Sequence, residues 1–246
     1  MSFLYVRPDE SVMFAPCSGT VDTDFNVNWL TDGRVGRPAK RTGNPSWTIT
    51  PGAAVASLGL FAAVNHTVDA ARAITIGGTT SATITPGALP ADGIPLNPFI
   101  TATPASVSSI TIAVSSNSVA VVMGEFYAGR YRTLERSIRL GAHRTPSPVL
   151  EWQGEFGSVP PYEPPLAMRV LTGETIVSAT GLAEIEDWHA STRRGTRPTL
   201  IVPIDTVNDA WLVTFTYEVE YIKNPSTGAH VYRVSLTFTE QARTRW

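Results

Sequence analysis

The sequence predicts a mainly β protein, with a β-sandwich or jelly roll over residues 1–140 followed by a small α+β domain over residues 166–246. Charged residues make up only 16% of the chain, while 19 glycines and 19 prolines interrupt it. β-branched residues suit pleated strands, whereas Pro and Gly break helical ladders. A proline-rich segment then separates many short strands from one helix and a long antiparallel hairpin.

Short β-rich segments with turn residues between them fill the first half of the chain. Ile110, Ile112 and Val114 alternate with small polar residues, which predicts a strand with one buried face. Residues 58–64 and 118–123 are apolar without alternation, which indicates central strands covered on both faces. The predicted strands are 12–14, 46–50, 56–64, 73–76, 82–85, 99–103, 110–114 and 119–127.

Residues 141–165 change the character of the sequence because prolines and glycines dominate them. Proline disfavours helix interiors and central strands, and it stiffens an extended chain. We therefore expect a linker at 141–165, between the sandwich domain and an assembly domain.

Residues 180–195 carry the one convincing helical pattern of the sequence. Thr180 or Gly181 can cap the helix, and Gly195 can end it. Apolar residues at three- and four-residue spacing share one face, which should pack on a sheet. These candidate packing residues are Leu182, Ile185 and Trp188.

The sheet is predicted from the long alternation on either side of the turn at 224–228. Alternating apolar residues before and after a Pro- and Gly-containing turn indicate an antiparallel hairpin from Trp211 to Glu240. Exposed edges of such a hairpin can extend a sheet between subunits. Its candidate oligomer residues are Trp211, Tyr217, Tyr221, Tyr232 and Phe238.

Motifs that carry known chemistry do not occur in the sequence. It has no phosphate-binding glycine loop, no zinc-protease helix and no nucleophile elbow. Cys17 is the single cysteine, and the four histidines are scattered over different predicted elements. We therefore predict no catalytic residue, no metal and no cofactor. A carbohydrate-active enzyme remains the third alternative, because opposed carboxylates cannot be recognised from spacing.

The charge and hydropathy patterns exclude two further classes of partner. A net charge of −2 offers no concentrated basic face, so no nucleic acid is expected. No apolar run is long enough for a membrane span, and the first residues do not resemble a signal peptide. We expect a protein made in the cytoplasm without a signal peptide and not inserted in a membrane.

One glycine-punctuated segment, residues 29–43, carries a group of cations. Asp32 followed by Gly33 predicts a turn. Three interpretations stay open: a solvated loop, an assembly contact with an acidic surface of a neighbouring subunit, or binding of a phosphate or a glycan. The candidate assembly or ligand residues are Asp32, Arg34, Arg37, Lys40 and Arg41.

Several short motifs follow one another in a recognisable order. Trp29-Leu-Thr-Asp-Gly33 precedes a strand that begins near Trp47, and Val64-Asn-His-Thr-Val68 and Val122-Met-Gly-Glu-Phe-Tyr-Ala-Gly129 come later. Over residues 10–135 this order resembles the discoidin or galactose-binding-like jelly roll.

That resemblance implies two kinds of ligand near the Asp-Gly loop. Sugar sites of this family use exposed aromatic and arginine side chains on loops, which points to Arg34, Arg37, Trp29 and Trp47. The two tryptophans have a second interpretation as core residues, which is the more frequent one in this pattern. A calcium site would need several converging oxygens, and Asp32 supplies one carboxylate.

The text MGEFYAGRYR and the ending Tyr232–Gln241 resemble the minor tail and baseplate proteins of bacteriophages. This resemblance implies a structural virion component, located in the tail, that forms a homo-oligomeric ring with other tail or baseplate proteins as neighbours. The alternative is a glycan-binding module for attachment to a host surface.

Overall fold

The structure is a computed structural model that describes residues 3–34, 36–87, 96–115, 119–136, 138–144, 169–203, 208–223 and 230–241. Within these ranges the chain is mainly β with one α-helix, so the predicted fold class is confirmed. None of the helical segments described is long and apolar enough to cross a membrane. Residues 145–168, most of the predicted linker, lie outside the described residues.

Antiparallel strands form most of the described chain. In chain order they are β1 (Leu4–Ser11), β2 (Cys17–Gly19), β3 (Ala39–Thr42), β4 (Ser46–Ile49), β5 (Val55–His66), β6 (Ile74–Gly78), β7 (Ala82–Ile84), β8 (Phe99–Val107), β9 (Ile110–Val114), β10 (Ala120–Thr133), β11 (Arg139–Arg144), β12 (Arg169–Val177), β13 (Thr199–Val202), β14 (Trp211–Lys223) and β15 (His230–Glu240). The helix α1 spans Ala179–Ser191, and a short 3-10 helix spans Val27–Thr31.

Two sheets contain these strands. In the described part of the chain, the larger sheet has ten strands in the order β11-β12-β15-β14-β13-β1-β10-β5-β8, with β3 also paired to β10. The smaller sheet has the order β2-β4-β9-β6-β7. The small sheet and the β5-β10 end of the large sheet make the predicted N-terminal sandwich.

The core of the sandwich lies between its two sheets. Trp47 and Ile112 come from the small sheet, and Phe61 and Phe126 come from the large one. All four are essentially inaccessible to solvent. The Trp47 indole N–H donates to the Thr20 carbonyl at 3.0 Å, so this buried polar group is satisfied.

A second core lies between α1 and the β12-β15-β14 part of the large sheet. The Trp188 ring stacks on Tyr5, with ring centroids 4.1 Å apart, and contacts Phe215 at 4.2 Å. Its indole N–H donates to the Thr199 hydroxyl at 3.0 Å. The helix is capped by Ser178, two or three residues before the predicted cap at Thr180 or Gly181, because the Ser178 hydroxyl accepts the Gly181 N–H at 3.2 Å. It ends at Ser191, before the predicted end at Gly195.

Strand β1 joins the two halves of the molecule. Its residues 4–6 pair with β10 on one side and with β13 on the other. The sequence pattern predicts no strand before residue 12. Tyr5 packs in the second core, whereas Leu4 and Val6 belong to a third apolar cluster that Tyr127 and Leu200 also join. One short strand therefore contributes to two cores.

Asn97 ties the chain before β8 to the chain before β14. Its backbone N–H donates to Asp209 at 2.9 Å, and its side-chain amide donates to the Ala210 carbonyl at 2.8 Å. The Asn97 side-chain oxygen accepts the Asn65 N–H at 2.9 Å. These hydrogen bonds fix the sandwich against the second half of the sheet, because all the groups involved are buried.

Arg169 completes this buried network. Its guanidinium forms a fork with both Glu240 oxygens at 2.6 Å, donates to Asp209, and lies 3.8 Å from the Trp211 ring centroid. Burial raises the pKa of Glu240 to about 7. The neighbouring Asp209 carboxylate also raises this pKa, whereas the Arg169 guanidinium lowers it. One guanidinium therefore contacts two carboxylates, and Glu240 binds a proton more readily than an ordinary glutamate does.

The raised pKa of Glu240 predicts how folding stability depends on pH. The folded chain binds this proton more tightly than the unfolded chain, so the stabilisation is complete below pH 4.5, the ordinary pKa, and is lost as pH rises through about 7. Relative to Glu240→Gln, we expect the free energy of unfolding to fall by about 3 kcal/mol over this window. Urea denaturation of both proteins at a series of pH values measures it. A difference that stays flat or grows with pH would contradict the assignment.

Candidate functional site

The predicted basic segment divides into two parts. Lys40 and Arg41 lie in β3, which pairs with β10. The Lys40 ammonium sits 5.3 Å from the Phe25 ring centroid, and Arg41 lies 3.6 Å from Asp22. Both cations therefore have partners within the chain.

The turn at Asp32 and Gly33 is hydrogen-bonded to a buried acid. The Asp32 side chain accepts the Arg34 N–H at 2.8 Å, and the Gly33 N–H donates to the Glu125 carboxyl oxygens at 3.1 and 3.3 Å. Gly33 has φ +75°, which glycine adopts without strain. Glu125 comes from β10 and is fully buried. Burial, and then the charge of Asp32, raise the pKa of Glu125 well above its usual value.

This turn packs against the loop between α1 and β13. A Cβ added at Gly33 would lie 3.3 Å from Pro198 and 3.6 Å from Met13. Three segments distant in the sequence therefore meet: the turn after β1, the Asp-Gly loop and the chain that enters β13. The residues next to the contact are Phe14 and Arg34, which are exposed, and Arg197, which is half-buried; together we name them the Phe14 surface.

Phe14 has an unusual backbone conformation. Its φ is +65°, and its side chain is 51% exposed. A bulky L-residue in the left-handed region is strained by about 1–2 kcal/mol. The Phe14 N–H donates to the Thr31 carbonyl at 2.6 Å, and the Ala15 N–H closes a turn onto Val12 at 3.0 Å. These bonds hold the phenyl ring outward.

The turn at Phe14 contradicts one prediction from the sequence. The pattern at 12–14 predicts a strand, whereas the structure has a turn there. The bond from Ala15 to Val12 reverses the chain, and Pro16 follows without an N–H to offer a neighbouring strand.

Arg197 lies over the Phe14 ring, with its guanidinium carbon 4.9 Å from the ring centroid. The loop that carries Arg197 is fixed by Thr192, whose carbonyl accepts the Arg197 N–H at 2.8 Å and whose hydroxyl accepts the Gly195 N–H at 2.9 Å. A guanidinium over a ring is a cation–π contact that leaves its N–H groups able to bind a ligand.

Arginines on these loops differ from the arginines of the strands in whether a carboxylate lies close enough to form an ion pair. In the described residues, no carboxylate oxygen lies within 4.0 Å of the guanidinium groups on the two loops, which are those of Arg34, Arg37, Arg193, Arg194 and Arg197. The strand arginines with described side chains all have such a partner: Arg7, Arg41, Arg130, Arg132, Arg169 and Arg233. An anion at the loops would therefore displace no ion-paired carboxylate of the described part of the chain.

Of the two tryptophans that the family resemblance suggests for a sugar site, one is inaccessible. Trp47 is buried in the sandwich core. Trp29 is half-buried and meets Phe25 edge to face, with ring centroids 6.5 Å apart. Asp32 does not form part of a metal site in the described chain, where no group of three or more His, Cys, Asp or Glu residues could hold an ion.

The helix and hairpin residues singled out by the sequence divide between core and surface. Buried are Ile185, Trp188, Trp211 and Phe238; half-buried beside them are Leu182, Tyr217 and Tyr232; exposed is Tyr221. The hairpin therefore supports the second core at one end and leaves apolar surface at the other.

Sequence reasoning found Asp32, Arg34 and Arg37 but missed Phe14 and Arg197. No local pattern marks the latter pair, because they meet only through the fold. Glu125 did carry a signal, since it is the one acid within the apolar segment 119–127.

Comparisons with known proteins give a weak likeness. No family model and no curated protein matches the chain. A chitosan-binding module of a chitosanase/glucanase from Paenibacillus sp. IK-5 has 14% identity and a TM-score of 0.36, over 48% of this chain and 96% of the module. A CBM32 module from Clostridium perfringens, in complex with GlcNAc-α-1,4-galactose, has 11% identity and a TM-score of 0.35, over 50% of this chain and 93% of the module. Likenesses at these TM-scores carry no argument about function.

Substitutions at Glu125 test its role under the loop. Because its pKa is raised, a neutral amide should replace it well, so Glu125→Gln should change the free energy of unfolding by less than about 0.5 kcal/mol near pH 7. Glu125→Leu leaves the Gly33 N–H without an acceptor and should cost about 1–3 kcal/mol. Urea denaturation compares the two. Equal damage from both variants would show that the negative charge itself is needed.

Proposed function

We propose that this protein is a non-enzymatic binding module for an acidic glycan, which it holds at the Phe14 surface. The observation that carries the proposal is Phe14 itself, a half-exposed aromatic ring on a left-handed backbone. Backbone strain of this kind concentrates at functional sites, because folding alone favours its removal. Because the ring points outward, packing of the core does not require it.

In this proposal each residue of the Phe14 surface contacts a different part of the glycan. The phenyl ring offers an apolar face for the C–H side of a pyranose ring. Arg197 and Arg34 offer planar, forked donors, which match a carboxylate or sulfate better than a neutral hydroxyl. Among the residues that the structure describes, no carboxylate oxygen lies within 4.0 Å of these two guanidinium groups, which is the reason for expecting an acidic sugar.

Asp32 and Glu125 act as positioning residues in this account. Both Glu125 oxygens accept the Gly33 N–H from inside the protein, and Asp32 accepts the Arg34 N–H. A glycosidase needs two carboxyl groups that face the sugar from opposite sides. The buried orientation of Glu125 favours binding over hydrolysis.

Assembly through sheet edges is the second candidate function. The observation that favours it is the far end of the β14-β15 hairpin, where Val219 is 42% exposed and Tyr221 55% exposed. The narrower proposal is a homo-oligomeric ring in a phage tail or baseplate, with host-surface attachment through the glycan site. Its virion part depends only on the resemblance of the sequence to tail proteins.

Phe14→Gly separates binding from stability. Glycine adopts a positive φ freely, so the substitution should raise the free energy of unfolding by up to about 1 kcal/mol. Loss of the ring should weaken binding of an oligogalacturonate at least about tenfold. Calorimetric titration and urea denaturation of the full chain measure the two effects. Phe25→Ala, which removes another aromatic outside the Phe14 surface, is the control that should leave binding unchanged.

Arg197→Gln tests the charge of the ligand. Wild-type protein should bind oligogalacturonate and discriminate against a neutral oligosaccharide of equal length, and Arg197→Gln should lose about tenfold in affinity for the acidic probe. The same titrations decide the outcome. Equal binding of acidic and neutral sugars, or full binding by Phe14→Gly, would refute the proposed site.

A further inference from the structure

Strand β14 has an open edge beyond its pairing with β13. That pairing ends at Val213, and no strand of the described chain pairs with β14 further along on the side away from β15. The Gly195 backbone covers the next position, because a Cβ there would lie 3.1 Å from the Phe215 carbonyl oxygen. The open part of the edge therefore begins after Phe215 and runs to Lys223.

The hydrogen-bond pattern of β14 shows which backbone groups this edge offers. The Gln241 N–H donates to the Leu212 carbonyl at 2.9 Å, which continues the register of the β14-β15 pair. Residues of an antiparallel strand alternate between its two edges, so the even-numbered residues of β14 face β15. The odd-numbered residues Tyr217, Val219 and Tyr221 therefore point their N–H and C=O groups outward. No described group hydrogen-bonds to them there.

The side chains of these odd-numbered residues form an apolar face. Tyr217 meets His189 of α1 edge to face, with ring centroids 5.0 Å apart, so this is the helix-covered face. Beyond the helix, Val219 and Tyr221 remain exposed. Apolar side chains of an added strand would cover them, because directly opposed residues of a strand pair contact one another.

The other face of the open edge is acidic. Glu218 and Glu220 are exposed there. Glu220 pairs with Arg233 at 2.7 Å, whereas no cation of the described residues lies within 4.0 Å of Glu218. Opposite charges directly across a strand pair stabilise it. A strand that docks here would therefore carry a lysine or arginine opposite Glu218.

The end of the edge at Gly195 is cationic. Arg193 and Arg194 precede this glycine and are exposed, and no carboxylate oxygen of the described chain lies within 4.0 Å of either guanidinium. Their φ angles of +50° and +58° are left-handed, a strain that concentrates at functional sites. The Arg194 N–H donates to the His189 carbonyl at 3.2 Å, which ties the turn to the end of α1. An anionic group at this end of a docked strand would lie beside two exposed cations.

These charges select the direction of a docked strand. An antiparallel strand beside β14 begins opposite Lys223 and ends opposite Tyr217, so its carboxyl end comes next to Gly195. A parallel strand would bring its amino end there, and parallel pairing is slightly less stable per residue. The two arginines therefore favour an antiparallel segment that ends in a free carboxylate.

A second copy of β14 fits this edge less well. A two-fold axis at Val219 places Glu218 of one copy opposite Glu220 of the other, and an axis at Glu220 places Glu220 opposite itself. Directly opposed like charges destabilise a strand pair. An axis at Tyr221 avoids these contacts, but only residues 219–223 of the two described strands then overlap.

We propose that the open edge of β14 binds the C-terminal segment of another protein as an added strand. The segment runs antiparallel, with apolar side chains beside Val219 and Tyr221 and a basic side chain opposite Glu218. Its terminal carboxylate lies beside Arg193 and Arg194. Main-chain hydrogen bonds supply the affinity and the alternating side chains supply the selectivity. The site shares no residue with the Phe14 surface and does not depend on glycan binding.

A synthetic peptide tests the strand pairing on the full chain. Glu-Thr-Val-Lys-Val-Lys-Val, with a fluorophore at its amino terminus and a free carboxylate, places valines opposite Tyr221, Val219 and Tyr217 and its last lysine opposite Glu218. Fluorescence anisotropy should show saturable binding. N-methylation of the middle valine removes an N–H that faces β14 and should weaken binding at least about tenfold. N-methylation of the last lysine, whose N–H points to solvent, is the matched control and should leave binding nearly unchanged.

Protein variants test the charges. Glu218→Lys should weaken binding of the peptide at least about fivefold. Arg193→Gln combined with Arg194→Gln should weaken binding of the free-carboxylate peptide by a similar factor, and should not affect the peptide with a C-terminal amide. Glu186→Lys, an equal charge change on the exposed side of α1, should leave binding unchanged. Circular dichroism of each variant confirms that it is folded.

Three results would overturn the proposal. The first is absence of peptide binding, and the second is equal binding of the two N-methylated peptides. The third is self-association of the wild type in sedimentation velocity that the peptide inhibits and Glu218→Lys strengthens, which would assign the edge to a second copy. Oligogalacturonate titration of Glu218→Lys should match the wild type, so failure of this site and failure of the glycan site are distinguishable.

Discussion

The position of β1 is the constraint on which the rest of the molecule depends. The first strand of the chain lies between β10 and β13, so it hydrogen-bonds to the sandwich on one side and to the helix-covered half on the other. The approach of β1 to β10 is close: a Cβ at Gly129 would lie 2.3 Å from Val6. A side chain at position 129 would therefore push the two halves apart. Tyr5 strengthens the link, because its ring stacks on Trp188 and its hydroxyl donates to Glu184 at 2.7 Å.

The Phe14 surface follows from this arrangement. In the antiparallel pair of β1 and β13, Val6 lies opposite Leu200 and Leu4 opposite Val202. The chain that leaves β1 and the chain that enters β13 therefore lie at the same end of the pair. Phe14 follows the first of these segments and Arg197 precedes the second, so register alone brings them together. The Asp-Gly loop reaches the same place because Glu125 holds it from β10.

Local patterns predicted much of the fold. The apolar run at 58–64, the helix over 180–195 and the alternation from Trp211 to Glu240 all depend on spacing within one segment, which the sequence displays. Strand β1 was missed because Arg7, Pro8 and two acids interrupt its apolar residues. Its burial comes from partners more than a hundred residues away, and these have no local signature.

The candidate site was predicted only in part for the same reason. The cations at 34 and 37 were recognised from the turn at Asp32. Lys40 and Arg41 were grouped with them, although both lie in strand β3. Phe14 and Arg197 are 183 positions apart in the sequence and meet through β1. The family resemblance left Trp47 open as a sugar contact or, more often in this pattern, a core residue, and its alternation with Ile49 places it in the core.

The central claim is that β1 makes both halves one cooperative unit and thereby keeps Phe14 and Arg197 in contact. Fluorine NMR of 5-fluorotryptophan-labelled protein in a urea series follows Trp47 in the first core and Trp188 in the second. The account predicts that both native signals disappear at the same urea concentration. Loss of the Trp188 signal while the Trp47 signal persists, or the reverse, would contradict it.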